Sequence, residues 1–297
     1  MNGLNRGFVY RVQAAPADAG QSVLAFHVAR FRHSGEAEWR AAIEQGRVLV
    51  NGRRAAPEQP LAAGDELEFH RPPWQEPEAP ESFDVAFEDE HVLVVVKPAG
   101  LQVLPAGPYS ARTLLSLVRA SEASRAAAAP AHRLGRGTSG LIAFGKSPLG
   151  RSALTRQLRE LKLGKTYLAW VAGARLPDSF AARQPIARRP HGPLTIHAAA
   201  TEGKPSLTRV RVLRRERNRT LVAAQPITGR PDQIRIHLAA AGAPIVGDPL
   251  FGPGGIPISN APPGAGGYLL HSASLSFDHP SSGARVKLHS LPDWLAA

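Results

Sequence analysis

The stretch HRLGRGTSGLIAFGKS, residues 132–147, is the most informative part of the sequence. Arg133 and Arg136 stand on either side of Gly135, a Thr-Ser-Gly turn follows, and the apolar run after the turn is typical of the start of a buried strand. Two guanidinium groups placed so close together call for an anion. Either a substrate supplies that anion, or a carboxylate that belongs at position 135 is missing from this chain.

Apolar runs on both sides of this stretch predict further strands. Each run is short, rich in Val, Leu or aromatic residues, and bounded by residues that break regular structure. The runs are HVLVVVKPAG (91–100), KTYLAWVAG (165–173) and LTRVRVLRR (207–215). Pro98 and Gly100 end the first of them.

Two other segments show helical spacing. Leu154, Leu158 and Leu161 recur on one face of LGRSALTRQLRELKLG, and Gly164 marks the predicted end of that helix. QIRIHLAAAG, residues 233–242, predicts a second, short helix that ends at a glycine. Because strands outnumber helices and do not alternate strictly with them, we predict an α+β fold built around a mixed, largely antiparallel sheet.

Residues 1–70 predict a separate small unit. SVLAFHVARF and EAEWRAAIEQG show helical spacing, and Gly46 is well placed to cap the second helix. Asn51-Gly52 predicts a tight hairpin turn after a short strand, and GDELEF supplies a later strand. The order is therefore two helices followed by a small hairpin.

The pattern IEQGRVLVNG followed by LAAGDELEF resembles the small αL RNA-binding module named after ribosomal protein S-four. The resemblance implies that basic side chains of the second helix and the hairpin face RNA. Arg40, Arg47 and Arg53 are candidates for that role. The alternative is that they are ordinary exposed arginines.

Two proline-rich segments predict irregular structure. RPPWQEPEAPES cannot continue as a helix or a central strand, so we predict a linker over residues 71–82 that joins the small unit to a larger domain over residues 83–297. The acidic residues of the linker are expected to keep it away from RNA. GPGGIPISNAPPGAGG, residues 252–267, predicts a surface loop.

Charge and cysteine content narrow the function classes. Lys and Arg number 36 against 24 Asp and Glu, giving a formal net charge of +12, which indicates either a polyanionic partner or a solubilising surface charge. The absence of cysteine excludes disulfides, thiolate zinc sites and Cys nucleophiles. No stretch reaches the roughly 18 unbroken apolar residues of a membrane helix, and the amino terminus lacks the apolar run of a secretory signal, so we expect a cytoplasmic protein.

Five segments, taken in order, resemble the RluA-type RNA pseudouridine synthases. Together they reach from residue 87 to residue 280. The segments are FEDEHVLVVVKPAGLQVLP, HRLGRGTSGLIAFGKS, KTYLAWVAG, TGRPDQIRIHLAAAGAPIVGDPLFG and LLHSASLSFDHP. Any one of them alone is a weak signal, whereas five in this order, behind an RNA-binding module, form a specific match.

The resemblance implies a reaction in which a uridine is flipped out of the RNA, its N-glycosidic bond is broken and the base is rejoined through carbon. In this family an aspartate acts as nucleophile or base at the sugar, a tyrosine packs on the base, and an arginine pairs with the aspartate. By motif position the tyrosine is Tyr167 and the arginine is Arg235, while the place of the aspartate is taken by Gly135. No metal or organic cofactor is implied.

A second departure from the family pattern lies in the arginine motif. Asp232 stands where the family usually has a histidine, three residues before Arg235. Asp232 is therefore a candidate for the substitute carboxylate, with Gly135 leaving room for its side chain or for a water. Its more ordinary role is to cap the short helix, and the two roles are compatible. Asp248 belongs to a turn of the family and is a weaker candidate.

Further residues of these motifs are predicted to contact RNA. They are polar or basic and lie beside the positions that carry the chemistry. They are Lys97, Arg133, Arg136, Thr138, Ser139, Lys165 and Arg230. The arginines of TRVRVLRRERNR, among them Arg209 and Arg211 on one face of a strand, either form a solvated edge or extend the positive track beside the pocket.

We therefore predict an RNA pseudouridine synthase that acts as a monomer on structured ribosomal or transfer RNA and belongs to a subclass without the usual aspartate. The alternative is a non-catalytic RNA-binding protein that keeps the base pocket and has lost the chemistry. Tyr167, Arg235 and the Thr-Ser-Gly turn are all present, which favours activity.

Overall fold

The computed structural model describes residues 3–31, 34–173, 176–192, 194–255, 257–258 and 267–295. The chain divides into two units, residues 1–77 with 192–194 and residues 78–191 with 195–297. The candidate Arg40, Arg47 and Arg53 belong to the first unit, and every other predicted site residue belongs to the second. Most of the loop predicted over residues 252–267 lies outside the described residues. No helix in the described ranges is long and apolar enough to cross a membrane.

The first unit contains two helices and a four-stranded antiparallel sheet in the order β1-β4-β2-β3. Its elements are β1 (Phe8–Gln13), α1 (Val23–Arg30), α2 (Glu36–Glu44), β2 (Val48–Val50), β3 (Arg53–Arg54) and β4 (Glu66–Arg71). The two helices, the hairpin and the later strand agree with the sequence-based prediction. β1 was not predicted, because its short mixed segment shows only weak alternation.

Local chemistry explains the turns of this unit. Asn51 and Gly52 have φ angles of 51° and 76°, which is the backbone that a two-residue hairpin turn requires. The turn brings Val50 opposite Arg53. Gly46 has a φ of 70° just after α2, and its N–H donates to the carbonyl of Ile43, so the predicted helix cap is present.

The segment after β4 packs along the amino-terminal residues. Arg71, assigned to the linker from the sequence, is instead the last residue of β4 because it pairs with Phe8. Asn5 donates from its backbone to the carbonyl of Trp74 and from its side chain to Glu76, at 3.0 Å and 2.7 Å. Residues 72–77 therefore continue the first unit.

The second unit contains a ten-stranded sheet whose main order is β10-β13-β14-β9-β15-β8-β6-β5, with β7 on β8 and β16 on β15. A separate two-stranded sheet is formed by β11 and β12. The elements are β5 (Asp84–Glu88), β6 (Val92–Lys97), α3 (Leu114–Ser121), β7 (Ala129–Pro130), β8 (Ser139–Gly145), α4 (Pro148–Arg159), β9 (Gly164–Ala172), β10 (Ser179–Ala182), β11 (Ile186–His191), β12 (Leu194–Ala199), β13 (Thr208–Arg215), β14 (Arg219–Pro226), α5 (Gln233–Ala240), β15 (Leu270–Asp278) and β16 (Arg285–His289).

This sheet confirms the predicted α+β fold. The pairing of β8 with β15 is parallel, whereas the neighbouring pairs β6–β8 and β9–β15 are antiparallel. Both faces of β6 are buried: Leu93 and Val95 join the core that contains α3 and α5, and Val92 and Val94 join the core that contains α4. A strand covered on both sides needs an unbroken apolar run, which is what its sequence shows.

The helix α4 is shorter than its sequence pattern predicted. It ends at Arg159, and Leu161 follows with a φ of 57° and a side chain that is exposed. The N–H of Lys162 donates to the carbonyl of Gln157 at 2.9 Å, which closes the helix end in the way a left-handed residue allows. The prediction that Leu161 lies on the buried stripe is therefore wrong, and Gly164 begins β9.

A buried ion cluster ties the end of β5 to the segment after α3. Arg125 donates to both carboxylate oxygens of Glu88, and the Lys146 ammonium donates to Glu88 Oε1 at 2.7 Å. The side chains of Arg125 and Lys146 are almost fully buried, and that of Glu88 is 21% exposed. The hydrogen bond from Arg125 and the attraction of the two cations lower the pKa of Glu88 to about 2.

We expect Glu88→Gln to lower the free energy of unfolding by roughly 3 kcal/mol at neutral pH. The folded-state pKa of Glu88 is depressed, so its contribution is present above the ordinary Glu pKa of 4.5 and is lost as pH falls toward about 2. Denaturant unfolding at pH 7 and at pH 3 measures the difference between wild type and variant. That difference should shrink at pH 3, and an unchanged difference would refute the assignment. Glu160→Gln, at an exposed carboxylate, is the control and should have a much smaller effect.

Candidate active site

Four segments of the second unit meet at one place. They are the loop before β8, the start of α5, the turn that contains Asp248, and the segment just before β15. The loop contributes Gly135 and Thr138, and the N–H of Thr138 donates to the carbonyl of Gly135 at 3.0 Å. Helix α5 contributes Arg235, and the segment before β15 contributes Tyr268.

Arg235 is the centre of the arrangement. Its side chain is only 5% exposed. Nε and Nη2 donate to the two carboxylate oxygens of Asp248, both at 2.8 Å, and Nη1 donates to Asp232 Oδ1 at 2.8 Å. The guanidinium lies 4.3 Å from the ring centre of Tyr268 and 4.9 Å from that of Phe251. Burial opposes the charge, but the bond to Asp248 and the nearby charge of Asp232 outweigh it and raise the pKa of Arg235 above its ordinary value.

The two carboxylates on Arg235 differ in what they can still do. The side chain of Asp248 is 1% exposed, and its Oδ1 also accepts from the N–H groups of Leu250 and Phe251. Asp232 is 30% exposed, and no described residue donates to its Oδ2. Asp248 is thus buried and held by three protein groups, whereas Asp232 is partly exposed and has one oxygen without a described donor.

The backbone of Asp232 explains this orientation. Asp232 stands at the N-cap position of α5 with a φ of 54° and ψ of 14°, and its side chain makes no cap hydrogen bond. The left-handed conformation, which Asp tolerates better than most residues, turns the carboxylate to Arg235. The predicted capping role is therefore wrong.

The space at Gly135 is occupied by a tyrosine. A Cβ at position 135 would lie 2.7 Å from the hydroxyl oxygen of Tyr268 and 3.4 Å from Thr138 Oγ1. The sequence-based expectation that Gly135 leaves room for Asp232 or for a water is thereby corrected, because the phenol hydroxyl already fills that space. Tyr268 is 4% exposed, and its hydroxyl lies 3.1 Å from Thr138 Oγ1.

Tyr167 lies on β9, where it pairs with Ser272 of β15 and with Ala224 of β14. It is 7% exposed and belongs to the same core cluster as Tyr268 and Leu134. Burial raises the pKa of Tyr167 to about 12. Its phenol is therefore neutral at physiological pH.

Three residues predicted to contact RNA point inward instead. The ammonium of Lys97 is fully buried and donates to the carbonyls of Pro98, Leu101 and Arg136. Thr138 is buried against Tyr268, and Ser139 lies 2.8 Å from His271 Nδ1. These three residues hold the loop in place, since their polar atoms have protein partners.

The remaining basic candidates differ in accessibility. Arg133 is exposed, and Arg136 is half-buried, with Nη1 donating to the Tyr109 hydroxyl at 3.2 Å. Lys165 is half-buried, and burial lowers its pKa. Arg230 donates to the carbonyl of Pro205.

In the first unit, the Arg40 guanidinium lies 2.8 Å from the Glu58 carboxylate. Because its charge is already paired, Arg40 is a weaker candidate for binding a phosphate. Arg53 is exposed on β3 and Arg47 is half-buried before β2.

The arginines of β13 lie on the other side of the sheet from Tyr167. Val210 pairs with Ala224, and Ala224 pairs with Tyr167, so these three side chains share one face. Arg209 and Arg211 alternate with Val210 and are exposed on the opposite face. They therefore do not extend a positive track beside Tyr167.

Sequence reasoning missed Tyr268 altogether and underrated Asp248. Tyr268 stands directly before the segment LLHSASLSFDHP. One hint of its role is present in the sequence: a large aromatic residue occurs next to a family motif, and another motif has glycine where the family has a side chain. Within the described residues, no group of three or more His, Asp or Glu side chains is arranged to hold a metal ion.

Each of the two units contains a region that matches a known protein family. The family model described as RNA pseudouridylate synthase matches residues 91–240, and the model described as S4 domain matches residues 37–67. Both matches lie inside the regions of the two resemblances, residues 87–280 and residues 1–70.

Similar proteins cover most of the chain. An uncharacterized RNA pseudouridine synthase of Synechocystis is 42% identical over 90% of this chain and 92% of its own length. Ribosomal large subunit pseudouridine synthase C of Escherichia coli is 33% identical over 84% of this chain and 83% of its own length. The structure of human RNA pseudouridylate synthase domain containing 1 has a TM-score of 0.58 at 24% identity, over 73% of this chain and 86% of that chain, and shares the fold.

Proposed function

The chain belongs to the RNA pseudouridylate synthase family, and on that basis we propose that it isomerises uridine to pseudouridine in ribosomal or transfer RNA. The names of its relatives and the match to an RNA-binding module support RNA as the substrate. One relative is a ribosomal large subunit pseudouridine synthase, and we also propose the cytoplasm, where ribosomes act, as the place of action.

The observation that carries the mechanism is the open carboxylate of Asp232 on the buried Arg235. In the reaction the bond from N1 of uracil to C1′ breaks, a bond from C5 to C1′ forms, C5 loses its proton and N1 gains one. A carboxylate must act as nucleophile or base at the sugar, and Gly135 has none. We assign that role to Asp232, because Asp248 is buried and held by three protein groups.

The other groups have supporting roles in this proposal. Arg235 orients Asp232, and its fixed position comes from the two bonds to Asp248. Tyr167 offers its ring to the flipped base, where stacking is worth about 1–3 kcal/mol per base. Arg133 is exposed on the loop before β8, which supports a proposed contact with a backbone phosphate.

The second candidate function is RNA binding without catalysis. Gly135 favours it, because the position that carries the family's carboxylate cannot take a proton or attack carbon. Pseudouridine mapped in ribosomal and transfer RNA of cells with and without the gene separates the two functions. We expect at least one pseudouridine to disappear with the gene, whereas identical maps together with retained RNA binding would support the second function.

RNA affinity should depend strongly on salt. With a net charge of +12, binding releases counterions, and we expect affinity to fall at least about tenfold between roughly 50 and 200 mM salt. In a plot of log affinity against log salt concentration, Arg133→Gln should reduce the steepness of the slope by about 1, which corresponds to the loss of one phosphate contact. Arg285→Gln is the matched control, since Arg285 already pairs with Asp278. An affinity that does not change with salt would contradict the electrostatic argument.

A further inference from the structure

We propose that Tyr268 is a positioning residue of the active site, and that position 135 is a glycine because the Tyr268 hydroxyl needs its space. The inference rests on the proposed function and deepens it. In this proposal Gly135 and Tyr268 are a matched pair of residues: the glycine lacks a side chain because the tyrosine hydroxyl occupies the space.

Space, and not backbone conformation, is what requires glycine at position 135. Gly135 is not among the residues with a positive φ, so its backbone suits any residue. A Cβ would lie 2.7 Å from the Tyr268 hydroxyl oxygen, whereas real Cβ contacts essentially never fall below 3.0 Å. Apart from the two chain neighbours of Gly135, the only other heavy atom of the described residues within 4 Å is Thr138 Oγ1, at 3.4 Å. Removing the one hydroxyl oxygen would therefore relieve the collision.

Tyr268 connects the groups of the site to one another. Its ring lies 4.3 Å from the guanidinium of Arg235, and its hydroxyl lies 3.1 Å from Thr138 Oγ1. A cation over an aromatic face is attracted to it, most strongly where water is excluded. Burial raises the pKa of Tyr268, so the phenol is a neutral hydrogen-bonding partner and not a base.

These contacts bear on the reaction through Arg235. Asp248 holds the edge of the guanidinium and Tyr268 holds its face, so the remaining Nη1 is directed at Asp232. A side chain at position 135 would push Tyr268 away from this arrangement. The Asp232 carboxylate would then lose the group that fixes its direction, and catalysis depends on such alignment to within about 1 Å.

The test is a double-mutant cycle of wild type, Gly135→Ala, Tyr268→Phe and the double variant. Turnover and KM on a substrate RNA are measured together with denaturant unfolding. We expect Gly135→Ala to lower kcat more than it changes KM, and the double variant to recover about tenfold over Gly135→Ala because the colliding hydroxyl is gone. Gly135→Ala combined with Tyr109→Phe is the control and should give no recovery, since the Tyr109 hydroxyl contacts Arg136 instead.

The inference would be overturned if the effects of Gly135→Ala and Tyr268→Phe on kcat were independent of each other. It would also be overturned if Gly135→Ala changed only KM. If the wild type forms no pseudouridine at all, the proposed function fails, and the cycle is then read from the unfolding free energies. Coupling between positions 135 and 268 in unfolding would still support the matched pair, and additive effects would overturn it.

Discussion

Replacement of Asp232 by asparagine is expected to lower the rate of pseudouridine formation by about a hundredfold or more. Asparagine keeps the size of the side chain and can still accept from Arg235 Nη1 through its amide oxygen. It cannot act as nucleophile or base at the sugar. Single-turnover rates on the RNA identified by mapping measure the loss directly.

The fold and RNA affinity of Asp232→Asn should stay close to wild type. Asp248 continues to neutralise Arg235 through two bonds, so no buried charge is left without a partner. Asp278→Asn is the matched control, because Asp278 is also a partly exposed partner of an arginine, at Arg285. A variant at position 232 that turns over like wild type would eliminate Asp232 and direct the search to another acid.

Arg235→Met is expected to reduce the free energy of unfolding by about 3–5 kcal/mol and to abolish activity. Methionine fills much of the volume but leaves Asp248, 1% exposed, as a buried carboxylate without a counter-charge. The N–H groups of Leu250 and Phe251 still bond to it, which limits the loss to that range. Denaturant unfolding measures the change.

Arg285→Met provides the comparison for this prediction. Arg285 is also paired with an aspartate, but its side chain is 37% exposed, and exposed pairs contribute at most about 1 kcal/mol. If Arg235→Met and Arg285→Met lowered the free energy of unfolding equally, the burial of the Arg235 ion pair would not be the cause of the predicted loss.

Much of the fold could be predicted because its signals are local. The run of β6 is apolar on both faces because both faces are covered by core. Asn51-Gly52 predicts its turn because those residue types accept the required φ angles. The end of α4 was harder, since Leu161 continues the helical spacing in sequence although the chain has already turned into a left-handed conformation.

Residues of the candidate site could be predicted from the sequence only where they belong to a family motif. Residue types in motif order predict Arg235, Tyr167 and, at Gly135, a missing carboxylate, and these roles stay predictions. The contact of Tyr268 with Thr138 joins residues 130 positions apart, and no local pattern reports such a contact. The direction of the Asp232 side chain depends on one φ angle, so the usual preference of Asp for helix caps was misleading.

Complementation of a strain that lacks the gene tests most directly whether this chain is a synthase that uses Asp232 in place of a carboxylate at position 135. Pseudouridine is mapped in ribosomal and transfer RNA after expression of wild type, Asp232→Asn or Asp278→Asn. We expect wild type and Asp278→Asn to restore the missing pseudouridine and Asp232→Asn to fail. Full restoration by Asp232→Asn would show that the Asp232 carboxylate does not carry the reaction.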